Sequence, residues 1–425
     1  MSRPPRRTNR PLAANPLAAL VRRLTSRPFR LGIRPDSIIV RCSGTGHRVR
    51  LAPGRFWQSA KCRACGAAVD PIRIRRIGRW LSTLRLPASA RNRDRALWLS
   101  AAGYLALALF SAALLWLLAD RWWAATTLLF GPRWLLLLPA VALAVPAIKW
   151  DRPLLVPIAG TVLIVLGPVM GLRTGWQAWL TGGDATRDVR IVSLNAEGGR
   201  PLTMALTDML LRWRADVLAI QECGPRIEEA FQFLEEWHTD ATGSLCVVSR
   251  YPITRVDTMP REAFEVAGGA AMVVTYRLEV QPVPIHLTNI HLQTPRAGLE
   301  KIRAGDLAGG IPTLEGKSTL REIEQIRAAR WTEQFPHPQI VAGDFNSPPE
   351  SPIYRHAWDG WANAFSVAGR GFGYTRMNGW IQARIDHILV DDTWTVVRAW
   401  VGPDVGSDHK PMLATIRLRR GSELR

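Results

Sequence analysis

The chain has 425 residues, 47% of them apolar and 21% charged, with 55 Lys+Arg against 35 Asp+Glu and a formal net charge of +20. This is too apolar for a chain that is disordered throughout, and five cysteines are too few for a disulfide-stapled scaffold. The charge alone would suggest an anionic partner, nucleic acid or a membrane face, but it is unevenly placed.

Residues 1–95 hold 23 Lys+Arg against 3 Asp+Glu, residues 96–183 hold 5 against 2, and residues 184–425 hold 27 against 30. The N-terminal segment therefore carries a charge equal to the whole excess, and the chain reads as separate pieces. Residues 1–40 are rich in Arg, Pro and Ala without a sustained period, which predicts a basic, solvated arm. Arg22-Arg23 has no apolar run close behind it, which argues against a twin-arginine export signal.

Over residues 41–70, Cys42 and His47 are followed by the knuckle Cys62-x-x-Cys65. Zinc takes four borderline or soft donors in a tetrahedron, so these four side chains predict a small zinc-ribbon-like module binding Zn²⁺. The alternative is a loop histidine and free thiols in a reducing compartment.

Residues 96–172 predict a membrane region of about three transmembrane helices. Residues 96–119 are 24 consecutive uncharged residues, enough at 1.5 Å per residue to exceed a hydrocarbon core of about 30 Å. Residues 153–172 give a second uncharged run of 20. Between them, residues 134–148 make only 15, and need Arg133 or the flank at Lys149 and Trp150 to reach both interfaces. Eight arginines within residues 71–95 hold the N-terminus in the cytoplasm under the positive-inside rule, as expected of a multi-pass protein of the inner (plasma) membrane. Three crossings then place the C-terminal domain outside; a re-entrant middle segment leaves it inside.

Residues 184–420 read as α/β, with short β-branched runs that end in polar residues. The runs are 188–195 (DVRIVSLN), 216–222 (DVLAIQE), 244–252 (SLCVVSRYP), 270–280 (AAMVVTYRLEV), 285–292 (IHLTNIHL), 339–346 (QIVAGDFN), 384–390 (RIDHILV) and 407–418 (SDHKPMLATIRL). A strand-final Glu222 can hold Mg²⁺, which prefers hard oxygen ligands and takes others from substrate phosphate. Asp344 two residues before Asn346 offers an acceptor for water beside an amide donor. Asp386 with His409 offers an imidazole of fixed tautomer. Segment 296–325, with glycines and charges ahead of a helical pattern, predicts either a surface loop leading into a helix or a segment that borders the cleft.

Taken in order, SLN, IQE, NIHL, GDFN, RIDHI and SDHKP resemble the endonuclease/exonuclease/phosphatase superfamily, which includes pancreatic-type deoxyribonuclease, neutral sphingomyelinases and inositol-polyphosphate 5-phosphatases. The resemblance spans residues 188–418. It implies a four-layer α/β/β/α sandwich (DNase I-like) with the site at one edge. It further implies that Glu222, Asn195 and Asp408 serve a Mg²⁺ or Mn²⁺ ion and that Asp344 activates or orients water. Asn346 and His409 would contact phosphate, Asp386 would orient His409, and His291 would be a phosphate contact or proton donor. The expected activity is metal-dependent phosphoester hydrolysis, with nucleic acid or phospholipid as substrate. The competing readings are a lipid-headgroup phosphodiesterase or phosphatase and a non-catalytic membrane binding or scaffold protein.

Overall fold

The structure, a computed structural model, describes residues 32–34, 37–41, 48–51, 60–61 and 68–69, then 92–176, 188–198, 210–225, 227, 229, 236–266, 268–378 and 381–419. The chain divides into two units, Met1–Arg95 and Ala96–Arg425.

In the first unit, β1 (Gly32–Arg34), β2 (Ser37–Arg41) and β3 (Arg48–Leu51) form an antiparallel sheet, and β4 (Ala60–Lys61) pairs with β5 (Ala68–Val69). Residues 32–34 and 37–40 of the stretch read as a basic arm are strands among the described residues, where Ile33, Ile38, Ile39 and Val40 favour a pleated backbone although the runs are too short to show a period. Cys42, His47, Cys62 and Cys65 lie outside the described residues.

The second unit begins with α1 (Asn92–Ala113), extended by a π turn over Leu114–Leu118, and the short α2 (Trp123–Phe130). A 3₁₀ turn, Arg133–Leu137, leads into α3 (Leu138–Trp150), and α4 (Leu155–Ile164) runs on to Val169. Three helical stretches, Asp94–Leu118, Arg133–Trp150 and Arg152–Val169, are long and apolar enough to cross a membrane. Their outward side chains stay apolar, as at Phe110, Leu117, Val141, Val156 and Leu163. The middle segment thus gains its length from both flanks, Arg133 at one end and Lys149 and Trp150 at the other. Trp98 Nε1 donates to Asp151 at 2.8 Å at one end of this bundle, and Arg133 donates to the Val169 carbonyl at 2.7 Å at the other. Consecutive helices therefore alternate in direction.

The rest of the unit alternates strands and helices: β6 (Asp188–Asn195), β7 (Val217–Gln221), β8 (His238–Thr242), β9 (Leu245–Ser249), β10 (Ile253–Thr258), α5 (Glu262–Glu265), β11 (Met272–Leu278), β12 (Ile285–His291), α6 (Arg296–Arg303), α7 (Leu307–Thr332), β13 (Gln339–Asp344), α8 (Pro352–Ala357), β14 (Ala362–Asn363), α9 (Ala364–Ala368), β15 (Arg376–Asn378), β16 (Ile381–Ala383), β17 (Asp386–Val390), β18 (Trp394–Val401) and β19 (Met412–Leu418). Two six-stranded sheets result, ordered β18-β19-β6-β7-β9-β8 and β10-β11-β12-β13-β17-β14. Each has one parallel pair, β6 with β7 and β12 with β13, so in both sheets two strand C-termini leave the same edge side by side.

The sheets pack face to face through Ile191, Val217, Val247, Val274, Leu287 and Ile340 among others. Their outer faces are covered by residues of the 210–213 helical turn on one side and by α7 on the other. The expected four layers are present. A buried amide pair ties the inner faces near the site: Gln221 Nε2 donates to Asn289 Oδ1 at 2.7 Å, and Asn289 Nδ2 donates to the carbonyls of Ile220 and Cys246. Cys223 and Cys246 form a disulfide beside this edge.

Segment 296–325 is helical almost throughout. Its glycines serve close packing: a Cβ at Gly298 would meet the Leu314 backbone, and one at Gly310 would meet Ile302. The two halves of the second unit are joined by buried charges. Arg321 on α7 pairs with Asp120 at 2.8 Å, both side chains fully buried, and Arg133 pairs with Glu350 at 3.1 Å. Arg321 also donates to Ser347 at 2.6 Å, and Ser351 donates to Asp120. Since breaking a buried pair from one side costs about 3–5 kcal/mol, these contacts fix the 347–351 loop against the apolar helices.

Candidate active site

The site lies where the parallel pairs of both sheets end. Asn195 closes β6, Glu222 follows β7, His291 closes β12 and Asp344 closes β13. Asp386 opens β17, antiparallel to β13 and registered opposite Asp344, and His409 precedes β19. Backbone conformation is specialised here. Gly343 has φ +153°, and a Cβ on it would collide with the Ile290 carbonyl of the neighbouring strand. Glu222 and Asn346 are left-handed, with φ of 49° and 48°, a conformation that a side chain other than Asn rarely adopts without functional cause.

The Asn195 amide is the hub. Its Nδ2 donates to Glu222 Oε1 at 3.0 Å and to Asp344 Oδ2 at 3.1 Å, while its Oδ1 accepts from the Glu197 amide at 3.0 Å. Asp344 Oδ1 accepts from the Asn346 backbone N–H at 2.8 Å. His291 Nε2 stands 3.7 Å from Glu222 and 3.8 Å from Asp344. His409 Nδ1 donates to Asp386, 2.8 Å from Oδ2, which turns Nε2 toward Asp344 Oδ2 at 3.8 Å.

Burial and the Asp386 charge both raise the Asp344 pKa. Burial opposes a charge on His409, but Asp386 and Asp344 outweigh it and lift the imidazole from 6.5 to about 9. His387, next to Asp386, behaves oppositely: burial, then Arg384, lowers it to about 3. It donates from Nε2 to the Ser347 carbonyl and accepts from Asn363, a neutral packed histidine.

The structure brings Glu222, Asn195, Asp344, Asp386, His409 and His291 together. Asn346 is adjacent, with one amide hydrogen committed to the Leu292 carbonyl at 2.8 Å. Asp408 sits at the far side: it pairs with Arg376, and its Oδ1 is 3.8 Å from His409 Nε2. The ligand atoms of Asp344, Asp386 and His409 lie within 4.8 Å of one another, a buried acidic group able to hold a metal. Outside it, Glu222 is the carboxylate open to solvent, with a side chain 38% exposed. This oxygen-rich, net acidic set fits a hard divalent cation.

Several supporting residues were missed by sequence reasoning. Ser407 Oγ donates to the Asn195 carbonyl at 2.7 Å and accepts from the His409 amide, joining the first and last motifs. Thr375 Oγ1 accepts from the backbone N–H groups of Ile385 and Asp386. Glu197 accepts from the Asp408 amide at 3.2 Å. Ser407 stands inside a motif and Glu197 two residues past one, so both were findable; Arg376 and Thr375 come from a stretch without a strand-like pattern.

Residues 192–409 match the model of the Endonuclease/Exonuclease/phosphatase family. None of the curated proteins compared matches the chain. Among solved structures, a humanized D. rerio TDP2 is 16% identical, with TM-score 0.44, over 55% of this chain and 100% of the other. An endonuclease/exonuclease/phosphatase from Beutenbergia cavernae DSM 12333 is 18% identical, with TM-score 0.39, over 55% and 72%. The 3' phosphatase NExo from Neisseria, bound to product DNA hairpin, is 17% identical, with TM-score 0.41, over 53% and 98%.

The His409 shift carries a sign. A pKa raised on folding stabilises the protein fully below about 6.5, and that contribution is lost as pH rises through about 9. With metal chelated, the melting temperature should fall between these values, by an amount corresponding to on the order of 3 kcal/mol. Asp386→Asn should flatten the fall, and an unchanged slope in that variant would count against the ion pair.

Proposed function

The chain belongs to the endonuclease/exonuclease/phosphatase family, and we propose that it is a membrane-anchored, divalent-metal-dependent phosphoester hydrolase in which Asp344 takes the proton of the attacking water. The observation that carries this reading is the Asn195 amide, which holds the open carboxylate Glu222 and the buried carboxylate Asp344 on one donor group, 3.0 and 3.1 Å away.

The roles follow from the geometry. Asp344 is fixed through both oxygens, by Asn195 and by the Asn346 backbone, so a water beside it meets an oriented acceptor. Its raised pKa makes it a stronger base than a solvated aspartate. His409, cationic at neutral pH and held by Asp386, offers a charged Nε2–H to a phosphoryl oxygen. As the water oxygen bonds to phosphorus, the ester oxygen leaves with its bonding pair and takes a proton from the half-buried His291. Glu222, Asn195 and Asp408 would hold Mg²⁺ or Mn²⁺, which when bound draws charge from the phosphoryl oxygens. A non-catalytic scaffold would have no need of two buried carboxylates around an imidazole.

Anchoring and sidedness rest on the helices. With three alternating crossings, Leu118, Arg133 and Val169 end on one face, the face that carries the Asp120–Arg321 and Arg133–Glu350 pairs to the catalytic domain. A cytoplasmic N-terminus then puts that domain outside, in a compartment where the Cys223–Cys246 disulfide persists.

With the full chain in detergent and Mg²⁺, Asp344→Asn should lower turnover of bis(4-nitrophenyl) phosphate by about 10²–10⁴-fold in protein that still unfolds cooperatively. Wild-type turnover no higher than that of the variant would refute the hydrolase reading. A reporter fused after Arg425 that works only outside the cytoplasm should be active, and silence would reject three crossings.

A further inference from the structure

A cavity of about 570 Å³ opens between α2 and α6, within the range of about 300–1,000 Å³ usual for small-molecule sites. One wall is Phe130 and Pro132, directly before Arg133, where the second apolar helix begins. The opposite wall is Leu299 and Ile302 of α6, with Ala383 and Ile385 behind. Its inner end is polar and belongs to the site already described: Asn346 lies two residues past Asp344, and Arg376 pairs with Asp408 beside His409. Arg296 and Arg303, both exposed, line it from α6.

The cavity is thus apolar where it meets the membrane-spanning helices and polar where it meets the site, with Arg376 there and Arg296 and Arg303 on α6. A nucleic-acid strand would call for cations and stacking platforms along a polar groove. A phosphate attached to a long apolar chain matches both ends. The domain's charge balance, 27 Lys+Arg against 30 Asp+Glu over residues 184–425, likewise lacks the basic excess expected of a nucleic-acid surface.

We propose that this cavity binds the apolar tail of a phospholipid drawn from the surrounding bilayer, so that the hydrolysed substrate is a membrane phosphoester. This rests on the hydrolase reading and names its substrate class. The helices are part of the substrate site as well as an anchor, with Phe130 and Leu299 gripping the chain while Arg376 and His409 meet the headgroup phosphate.

The test uses the full chain in mixed micelles, with phosphatidylglycerol, bis(4-nitrophenyl) phosphate and a single-stranded DNA oligonucleotide as probes. Leu299→Trp and Ile302→Trp, which fill the cavity, should lower the ratio of kcat/KM for phosphatidylglycerol to that for the aryl diester at least roughly tenfold. Independently of turnover and of variant folding, phosphatidylglycerol with a photoreactive tail should cross-link wild-type protein, in chelator, at Phe130 and within α6. An unchanged ratio, labelling confined to the outward faces of the apolar helices, or cleavage of DNA with the lipid untouched would overturn the tail site and leave the hydrolase standing. A wild type that turns over none of the three probes would remove the hydrolase reading and this inference with it.

Discussion

Two carboxylates buried side by side, Asp344 and Asp386, set the terms for everything around them. Neither has access to bulk water, and their mutual repulsion in a low-dielectric pocket must be offset locally. The offset comes from the His409 imidazolium between them, from two hydrogen bonds to Asp344, and from the acidic set's capacity for a divalent cation. With them, burial raises the Asp344 pKa, while the two carboxylates keep His409 cationic against the opposing effect of burial.

The same loop that carries this chemistry is tied to the apolar helices. From Asp344 the chain runs through Asn346 to Ser347, Glu350 and Ser351, and those last three meet Arg321, Arg133 and Asp120 respectively. Asp120 and Arg133 lie on either side of α2, so the short helix is held at both ends and its Phe130 is fixed against the cavity. Arg355, just past the loop, packs over Trp116 at 4.6 Å. The apolar helices and the active-site loop are in this way a single construction. Buried charge pairs of this sort tolerate little rearrangement, because each partner left alone would be an uncompensated charge.

Much of the catalytic half was legible from sequence, since a parallel strand buried on both faces must be β-branched and its functional residue must come where the apolar run stops. Glu222 and Asp344 were read that way, whereas Asn195 and His291 entered through the family resemblance. The edge strands β8 and β10 were not: HTDAT and ITRVDT are largely exposed and carry no apolar period. The glycines of segment 296–325 misled, because at a close helix crossing glycine signals contact rather than a loop. Arg376 and the Asp120–Arg321 pair were invisible, as nothing local says that Arg376 will pair with Asp408 or that Asp120 and Arg321, some 200 positions apart, will bury each other. The cavity was hidden for the same reason, being built from residues 127–132 and 294–303 together with Asn346, Arg376, Ala383 and Ile385. The net charge of +20 suggested a nucleic-acid partner, and its location in the first 95 residues removes that suggestion for the catalytic half.

In the proposed reaction the oxygen of an oriented water becomes bonded to phosphorus. A single-turnover reaction of the full chain with a phosphodiester in ¹⁸O-water tests it most directly. The account predicts one ¹⁸O atom in the phosphate-bearing product and none in the released alcohol. Label in the released alcohol, which would mean attack at carbon, or a phosphate-bearing product without label would contradict it.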